Sequence, residues 1–449
     1  MRARLSAIGA WMREDDRSLG LPWRMFWVGL AVRLLYITVA HTYRIRVSGD
    51  HFQFGWEMGR IARALALGNG YADPFVGHSG PTAWNPPLFP LLLAGVFRVF
   101  GVYTTASAWV ILAIDSVFSA ATAVAVYEIA WRCFGRGQEG RRIALWSGWL
   151  WALYPAAMQY AVRWVWEMSL TTMLFAFAIV LALRMRGVGQ ESDLRRFQSL
   201  GHWGVFGLLW GLIALSNSSL LMVLPVCAVW MIWHEVRRPG QWGAAVRGVL
   251  LAALCCSLVV SPWVWRNWRV FHAFVPMRAN FGAELYESVR PPNTGFPYPT
   301  VIPQIESDPE FQRYRRLGEV IYSRQQGERG KAMVRAHPGL FFAHALQRVY
   351  FFWVSVPHPI EKGIAAEIGR EMSYCFLSLG GLLGLALALR RRIAGASLFL
   401  LAFAIVPLMY YFVIVQARFR HPLEPLLTVL IVFLFQAAEV RRRTRKVRA

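Results

Sequence analysis

The chain has 449 residues, of which 56% are hydrophobic and only 16% are charged, and its mean hydropathy is +0.38. A soluble protein of this length carries more charge, so the composition excludes an ordinary soluble enzyme. The formal charge of +23 does not indicate nucleic-acid binding, because the basic residues stand at the ends of apolar blocks and form no patch interleaved with aromatic residues.

Ten apolar segments have the length and character of membrane-spanning helices, each of which needs about 20 mostly apolar residues. In chain order they are 25–41, 104–130, 143–160, 168–184, 203–216, 219–233, 248–265, 371–389, 394–415 and 422–438. Two of them contain an ionisable residue, Arg33 in the first and Asp115 in the second. Charge in lipid is costly, so both residues are expected to face the bundle and pair with another helix.

The positions of the arginines predict how the chain is oriented in the membrane. They concentrate in alternate segments between the spans and in the tail from Arg441 to Arg448, and the positive-inside rule assigns that side to the cytoplasm. Both termini are then cytoplasmic, and we expect a multi-pass protein of the plasma membrane. Two short apolar blocks, Pro86–Gly101 and Gly339–Val356, are predicted to be re-entrant or interfacial, because counting either as a span would move arginine-rich segments outside.

Three regions follow from this arrangement. Residues 1–265 form an N-terminal transmembrane module, whose first outer loop covers residues 43–103. Residues 266–370 form an extracytoplasmic loop region with an interfacial helix, and the helical character of the polar run 308–335 predicts a small outer domain. Residues 371–449 supply the last spans and a basic tail.

The first outer loop carries an acidic residue, Asp50, just beyond the first span. Apolar residues recur behind it at helical spacing, which predicts an amphipathic helix at the membrane interface: Phe54, Met58, Ile61, Ala62 and Leu65. Asp50 is thereby expected at the outer surface, where the head of a lipid carrier meets a polar acceptor. Helix capping explains its position equally well, because Asp is favoured at an N-cap.

A series of different motifs, each present once, is spread over nearly the whole chain. They are Asp50 after the first span, G-P-T-A-W-N-P-P-L-F-P-L-L-L-A-G-V-F-R-V-F-G from Gly80, Tyr154-Pro155 followed by Glu167, S-P-W-V-W-R-N-W-R-V-F from Ser261, His337-Pro338, Phe352-Trp353, and A-R-F-R-H-P-L-E-P from Ala417. In this order and spacing the chain resembles the bacterial dolichyl-phosphate-mannose protein mannosyltransferase and aminoarabinose transferase family, in the GT-C class. The resemblance implies an all-α bundle of about ten spans with interfacial helices and a small loop domain on the outer face.

The same resemblance implies an activity, which is transfer of a sugar from a polyprenyl-phosphate donor to an acceptor hydroxyl on a protein, lipid or glycan. Asp50 matches the family's catalytic base. Many relatives have Asp-Glu where this chain has Asp50-His51, which leaves open whether His51 binds the acceptor or a metal. One carboxylate suffices for such chemistry, because phosphate is already a good leaving group and needs no acid.

The departing phosphate gains negative charge, so the site needs cations. Arg266 and Arg269 follow the seventh span, while Arg418, Arg420 and His421 precede the tenth, all on the face of Asp50. Each arginine taken singly is as well explained by anchoring to lipid headgroups. The resemblance includes Arg418 and Arg420, which favours these two as the phosphate ligands.

Four further residues are candidates for substrate binding: Glu57, Trp84, Asn85 and Glu167. Trp84 and Asn85 suit a sugar pocket, and Glu167 suits an acceptor or a divalent ion, although a helix start favours a carboxylate without any function. Asp73 precedes a proline and is interpreted as a turn residue. The cysteines show no metal-ligand spacing, no cofactor is indicated with certainty, and dependence on a divalent metal stays open.

A polytopic transporter or flippase for lipid-linked sugars is the strongest rival function. It predicts inverted repeats, broken helices near the midplane and several intramembrane charges, whereas the polar residues here concentrate in the loops. A membrane scaffold without activity and a polysaccharide ligase that uses a longer lipid-linked glycan also fit the sequence. The expected partners of the enzyme are its lipid donor, its acceptor and membrane lipids, with no nucleic acid.

Overall fold

The computed structural model describes residues 20–45, 53–135, 137–189, 199–233, 242–290, 303, 305–354 and 364–448. Within these ranges the chain is helical, with two isolated β-bridges, Ala72 with Pro81 and Val76 with Ile305, and no strand. Asp50 and His51 lie outside the described residues.

The described residues up to Phe271 contain ten α-helices and one 3₁₀ segment. They are α1 (Gly20–Val39), α2 (Trp56–Ala66), α3 (Leu88–Phe100), α4 (Thr105–Phe134), α5 (Gly137–Leu153), α6 (Pro155–Val162), α7 (Met168–Met185), α8 (Leu200–Ser216), the 3₁₀ segment Ser218–Met222, α9 (Val223–Ile232) and α10 (Trp242–Phe271). The described residues that follow form α11 (Phe281–Val289), α12 (Pro309–Leu317), α13 (Glu319–Ala336), α14 (Pro338–Trp353), α15 (Ile364–Arg390), α16 (Ala396–Ile405), α17 (Leu408–Phe412), the 3₁₀ segment Ala417–Leu423 and α18 (Glu424–Arg448).

The chain is a polytopic membrane protein, as its composition predicts. Five stretches in the described part are long and apolar enough to cross a bilayer: Thr105–Phe134, Met168–Met185, Trp242–Phe271, Glu367–Arg390 and Ala417–Glu439. Shorter apolar helices accompany them at Leu88–Phe100, Leu200–Ser216, Ser218–Ile232 and Ala396–Phe412. Helix α4 lies at the centre of the bundle, packing on α1, α5 and α7, while α8 packs on α10 and α15 on α18.

Two predicted spans, 143–160 and 394–415, are each divided by proline. Helix α5 ends at Leu153 and α6 begins at Pro155, while α16 ends at Ile405 and α17 follows Pro407. Proline has no N–H to continue the i→i−4 ladder and its ring clashes with the preceding turn. The spacing of apolar residues alone therefore predicted helices that are too long at both places.

Arg33 supplies donors at the first of these breaks. Its guanidinium donates to the carbonyl oxygens of Ala152 (2.7 Å) and Trp151 (3.3 Å), and its Nε donates to Ser119 Oγ at 3.1 Å. The Trp151 carbonyl faces Pro155 four residues on, where no N–H exists, so the arginine replaces a missing helix donor. The expectation that Arg33 pairs between helices is confirmed.

Helices α11, α12 and α13, together with residues 71–85, form a unit that we call the polar cap. Its core is a cluster of mostly aromatic side chains: Phe75, Trp84, Ala283, Phe311, Tyr314 and Tyr322. Helix α11 packs closely on α13, because Gly282 has no Cβ to clash with the Ser323 carbonyl oxygen. The polar run 308–335 is thus helical, as predicted.

A buried carboxylate holds the cap together. Glu319, 2% exposed, accepts hydrogen bonds from the Ala83 backbone N–H (2.6 Å), the Tyr314 hydroxyl (2.6 Å) and the Thr82 hydroxyl. Burial raises the pKa of Glu319, against the lowering effect of these hydrogen bonds. The carboxylate therefore ties residues 82–83 to α13.

Candidate active site

Three segments far apart in the sequence meet at the candidate site. Trp56 opens α2, Trp164 and Trp166 lie between α6 and α7, and Arg418 lies in the 3₁₀ segment before α18. The Trp164 and Trp166 rings stack with centroids 4.9 Å apart and planes 6° from parallel, and the Trp56 centroid is 4.4 Å from that of Trp166. The Arg418 guanidinium lies 4.2 Å from the Trp166 centroid. The result is a partly exposed aromatic surface with a cation against it.

Glu167 lies beside this surface at the N-cap of α7. It is 7% exposed, and its Oε2 has no hydrogen-bond partner among the described residues. Burial raises the pKa of Glu167, while Arg418 and Arg278 lower it and Glu57 raises it. An oxygen without a partner, close to a cation, is available to accept a hydrogen bond or to bind a metal ion.

Asp115 on α4 is a second buried carboxylate near Glu167. It is fully buried, both of its oxygens lack a hydrogen-bond partner in the described part of the chain, and the two carboxylates interact electrostatically. We expected Asp115 to pair with a neighbouring helix, and no such hydrogen bond is found among the described residues. The pairing of Asp115 with another helix therefore stays a prediction, while Ser119, one turn along α4, accepts a hydrogen bond from Arg33.

The basic residues before α18 differ in how they are held. Arg420, 1% exposed, donates to Glu424 Oε1 (2.9 Å), the Tyr374 carbonyl (2.8 Å) and the Ser378 hydroxyl. His421 contacts Glu424 Oε2 through Nδ1 at 2.6 Å, and its buried Nε2 has no partner in the described residues. Arg418 is only half-buried, and its Nε also has no described hydrogen-bond partner. Of the three, Arg418 is the one most available to a ligand.

Trp84, Asn85 and Arg266 are found in or against the polar cap. Trp84 packs on Phe75, with ring centroids 5.0 Å apart. Arg266 donates to the carbonyl oxygens of Thr82 and Tyr71, both at 2.6 Å. The buried side-chain amide nitrogen of Asn85 has no described partner. The backbone carbonyl oxygen of Asn85 accepts a hydrogen bond from the Tyr71 hydroxyl at 2.8 Å. These contacts position the first loop, and a role for the three residues in binding substrate stays a prediction.

Asp73 has the turn role that was expected of it. Its φ is 56°, in the left-handed region, and its Oδ1 accepts from the backbone N–H groups of Ser79 and Gly80 at 2.9 Å each.

Sequence reasoning missed the three tryptophans of the candidate site. The signal was present in W-V-W-E-M, where alternate aromatic residues precede the carboxylate, but tryptophan at a membrane interface needs no function and is not a specific signal.

No group of three or more potential metal ligands of the His, Cys, Asp or Glu type is found among the described residues. Glu167 and Asp115 are the buried carboxylates of the site, and Glu57 interacts with Glu167 electrostatically. Asp50 and His51, the residues that the resemblance ties to base or metal chemistry, are outside the described ranges.

No protein-family model matches this chain, and no curated protein matches it. Among solved structures, it is similar to the archaeal oligosaccharyltransferase AglB from Archaeoglobus fulgidus in complex with an inhibitory peptide and a dolichol-phosphate, with a TM-score of 0.52 and 14% identity over 94% of this chain and 52% of AglB. The apo form of the Archaeoglobus fulgidus enzyme gives a TM-score of 0.55 and 14% identity over 98% of this chain and 52% of the enzyme.

ArnT from Cupriavidus metallidurans bound to undecaprenyl phosphate aligns with 89% of this chain and 77% of its own, at 14% identity and a TM-score of 0.36. The chain has the fold of AglB, a GT-C glycosyltransferase, as the sequence resemblance predicted. It spans about half the length of AglB.

Proposed function

We propose that this chain is a membrane glycosyltransferase that moves a sugar from a polyprenyl-phosphate donor to an acceptor hydroxyl on the extracytoplasmic face. The GT-C fold supports this function, and the AglB structure that shares it holds a dolichol-phosphate and an inhibitory peptide. The proposal covers hexosyl and pentosyl donors alike, and acceptors that are proteins, lipids or glycans.

The observation that carries the proposal is the convergence of Glu57, Glu167 and Arg418 around stacked tryptophans. Tryptophan faces suit sugar rings, an arginine whose Nε has no described partner suits a phosphate, and a carboxylate whose Oε2 has no described partner suits a hydroxyl. Asp50 precedes Trp56 by six residues, which span no more than about 20 Å, so the proposed base is within reach of the same place.

The proposed reaction is a single displacement. The Asp50 carboxylate takes the proton from the acceptor hydroxyl, and the hydroxyl oxygen attacks the anomeric carbon as the bond from that carbon to the phosphate oxygen breaks. The electron pair stays on the leaving polyprenyl phosphate, whose added charge Arg418 neutralises. Direct attack inverts the configuration at the anomeric carbon.

Glu167 is assigned a positioning role in this scheme. Its Oε2, which has no described partner, accepts a hydrogen bond from the acceptor hydroxyl or binds a divalent ion that coordinates the hydroxyl oxygen, and Arg418 lowers the pKa of the carboxyl against the raising effect of burial. Holding the hydroxyl near the anomeric carbon converts an encounter in solution into a reaction within one complex.

The test is transfer of labelled sugar from a panel of hexosyl and pentosyl polyprenyl-phosphate donors, in membranes containing equal amounts of each variant. Wild type should transfer from at least one donor, Asp50→Asn should abolish transfer, and Arg418→Gln should reduce it strongly. Arg315→Gln is the matched control, because Arg315 forms an exposed ion pair with Glu306 in the polar cap. Equal transfer by wild type and Asp50→Asn would remove Asp50 from the mechanism.

A transporter or flippase function has one observation in its favour, the buried carboxylate of Asp115 without a described partner. Absence of transfer from every donor, combined with movement of a labelled lipid-linked sugar between leaflets that Asp115→Asn blocks, would support that function instead.

A further inference from the structure

A separate cavity of about 440 Å³ lies between the polar cap and the C-terminal helices. Its described apolar lining comes from four helices and one residue beyond them: Phe281 and Leu285 of α11, Val334 of α13, Phe341 of α14, Met409 and Phe412 of α17, and Val413 just after α17. The Phe341 and Phe412 rings stack across it, with centroids 6.1 Å apart. The volume is within the range of about 300–1,000 Å³ that is typical of ligand pockets.

Among the lining residues that the structure describes, two are polar, and both are cations. Lys331 and Arg335 lie one turn apart on α13, and both side chains are exposed. Glu328 approaches Lys331 at 3.0 Å and also interacts with Arg335. That pair is exposed on both sides and therefore weak, and an ammonium keeps further N–H donors for a second anion. The mouth of an apolar cavity thus carries a net positive charge.

The surface beside the cavity has the character of a membrane-facing helix. Next to Phe341, helix α14 exposes Phe342, Leu346 and Tyr350 at every fourth position, with exposed fractions of 61%, 72% and 55%. Apolar side chains at this spacing form one continuous face, which suits contact with acyl chains. An amphiphile in the bilayer can therefore reach the cavity along α14.

We infer that this cavity binds one anionic phospholipid from the surrounding membrane. An acyl chain fills the space between α11, α14 and α17, and the phosphate of the headgroup contacts Lys331 and Arg335. The site is distinct from the proposed donor site, since its described lining includes neither Arg418 nor Glu167 nor the stacked tryptophans. Such a lipid joins the polar cap to the C-terminal helices.

The experiment measures the phospholipid that stays with the purified chain. Protein is exchanged into micelles that contain equal phosphatidylglycerol and phosphatidylcholine, purified again, and the retained lipid is counted per chain by mass spectrometry. Wild type is compared with the double variant Lys331→Gln/Arg335→Gln. The charge-matched control is Arg316→Gln/Arg324→Gln, which removes two exposed cations from the same cap outside the cavity. All variants are exposed-surface changes, and each is checked for monodisperse elution.

Wild type and the control should each retain about one phosphatidylglycerol, and Lys331→Gln/Arg335→Gln should retain about tenfold less, because two cations at an anionic headgroup are lost. Equal retention by the two double variants would overturn the inference, as would equal retention of phosphatidylcholine. Undecaprenyl phosphate, added at the same concentration, should leave the retained phosphatidylglycerol unchanged. Its displacement of that lipid would assign the cavity to the donor and also overturn the inference.

Discussion

The Arg418 guanidinium lies over the Trp166 ring, 4.2 Å from its centroid, while Glu167, the next residue after Trp166, interacts with the same cation. The ring covers one face of the guanidinium and leaves its N–H edge for an anion. The contact also joins the loop before α7 to the segment before α18, so that a cation and a carboxylate from distant parts of the chain keep a fixed spacing.

Arg418→Lys should keep the charge and still lose most of the activity. A lysine cannot stack flat on Trp166 or present a planar pair of donors to phosphate, so we expect transfer to fall about tenfold, mainly through a higher KM for the donor. Arg418→Gln should fall about a hundredfold or more. Steady-state kinetics with a lipid-phosphate donor measure both, and unchanged kinetics for Arg418→Gln would exclude this arginine as the phosphate ligand.

The pH dependence of transfer should report the ionisation of Glu167. Burial raises the pKa of this carboxyl, Arg418 lowers it, and Glu57 raises it. If ionised Glu167 is the active form, activity is lost as the pH falls through this raised pKa. Arg418→Gln removes a lowering effect and should shift the acidic limb to higher pH, whereas Glu57→Gln removes a raising effect and should shift it to lower pH.

The profile of kcat/KM against pH checks these opposite shifts. Glu167→Gln should remove the part of the acidic limb that responds to Arg418→Gln and Glu57→Gln and leave the limb of the proposed base, Asp50, whereas Glu306→Gln, a change in an exposed ion pair of the cap, should leave the profile unchanged. Shifts of the same sign for Arg418→Gln and Glu57→Gln would contradict the assignment to Glu167.

Glu319→Ala should destabilise the polar cap by about 3 kcal/mol or more. The change leaves the buried donors of Thr82, Ala83 and Tyr314 without an acceptor, at roughly 1–3 kcal/mol for each unsatisfied group. Limited proteolysis and thermal unfolding of the purified protein measure the loss. Glu306→Ala, which breaks an exposed ion pair, should change stability by less than about 0.5 kcal/mol. Equal effects would show that burial of the carboxylate is immaterial.

Arg33 and Pro155 should be energetically coupled, although 122 positions separate them in the sequence. Arg33→Leu leaves the carbonyl oxygens of Trp151 and Ala152 without their donors, and we expect a loss of about 2–4 kcal/mol. Pro155→Ala restores the backbone N–H that the Trp151 carbonyl lacks. The double variant should therefore lose less than the sum of the two single variants, as measured by thermal unfolding in a double-mutant cycle. Strict additivity would refute the link.

Apolar length predicted which segments are helices, including the short blocks that became α3 and α14, whereas the orientation inferred from the arginines stays a prediction. The breaks at Pro155 and Pro407 were missed, because hydropathy averages over a proline that removes one N–H. Asp73 was interpreted correctly from its local turn chemistry. Glu319 was not singled out at all, since its three donors come from residues 82, 83 and 314, and only folding brings them to one carboxylate. The tryptophan surface was hidden for the same reason, because its members come from the start of α2 and from the loop before α7.

The partners of Arg33 have a consequence for biogenesis. Helix α1, which the sequence predicts to be the first span, carries a cation whose acceptors, Ser119, Trp151 and Ala152, belong to α4 and α5 and are synthesised 86 to 119 residues later. Until those helices arrive, the first helix holds an unsatisfied charge in lipid, which favours a position near the translocon or the interface. The break between α5 and α6 thus supplies two of the acceptors of Arg33. We expect α1 to reach its final depth in the membrane only after α5 has been synthesised.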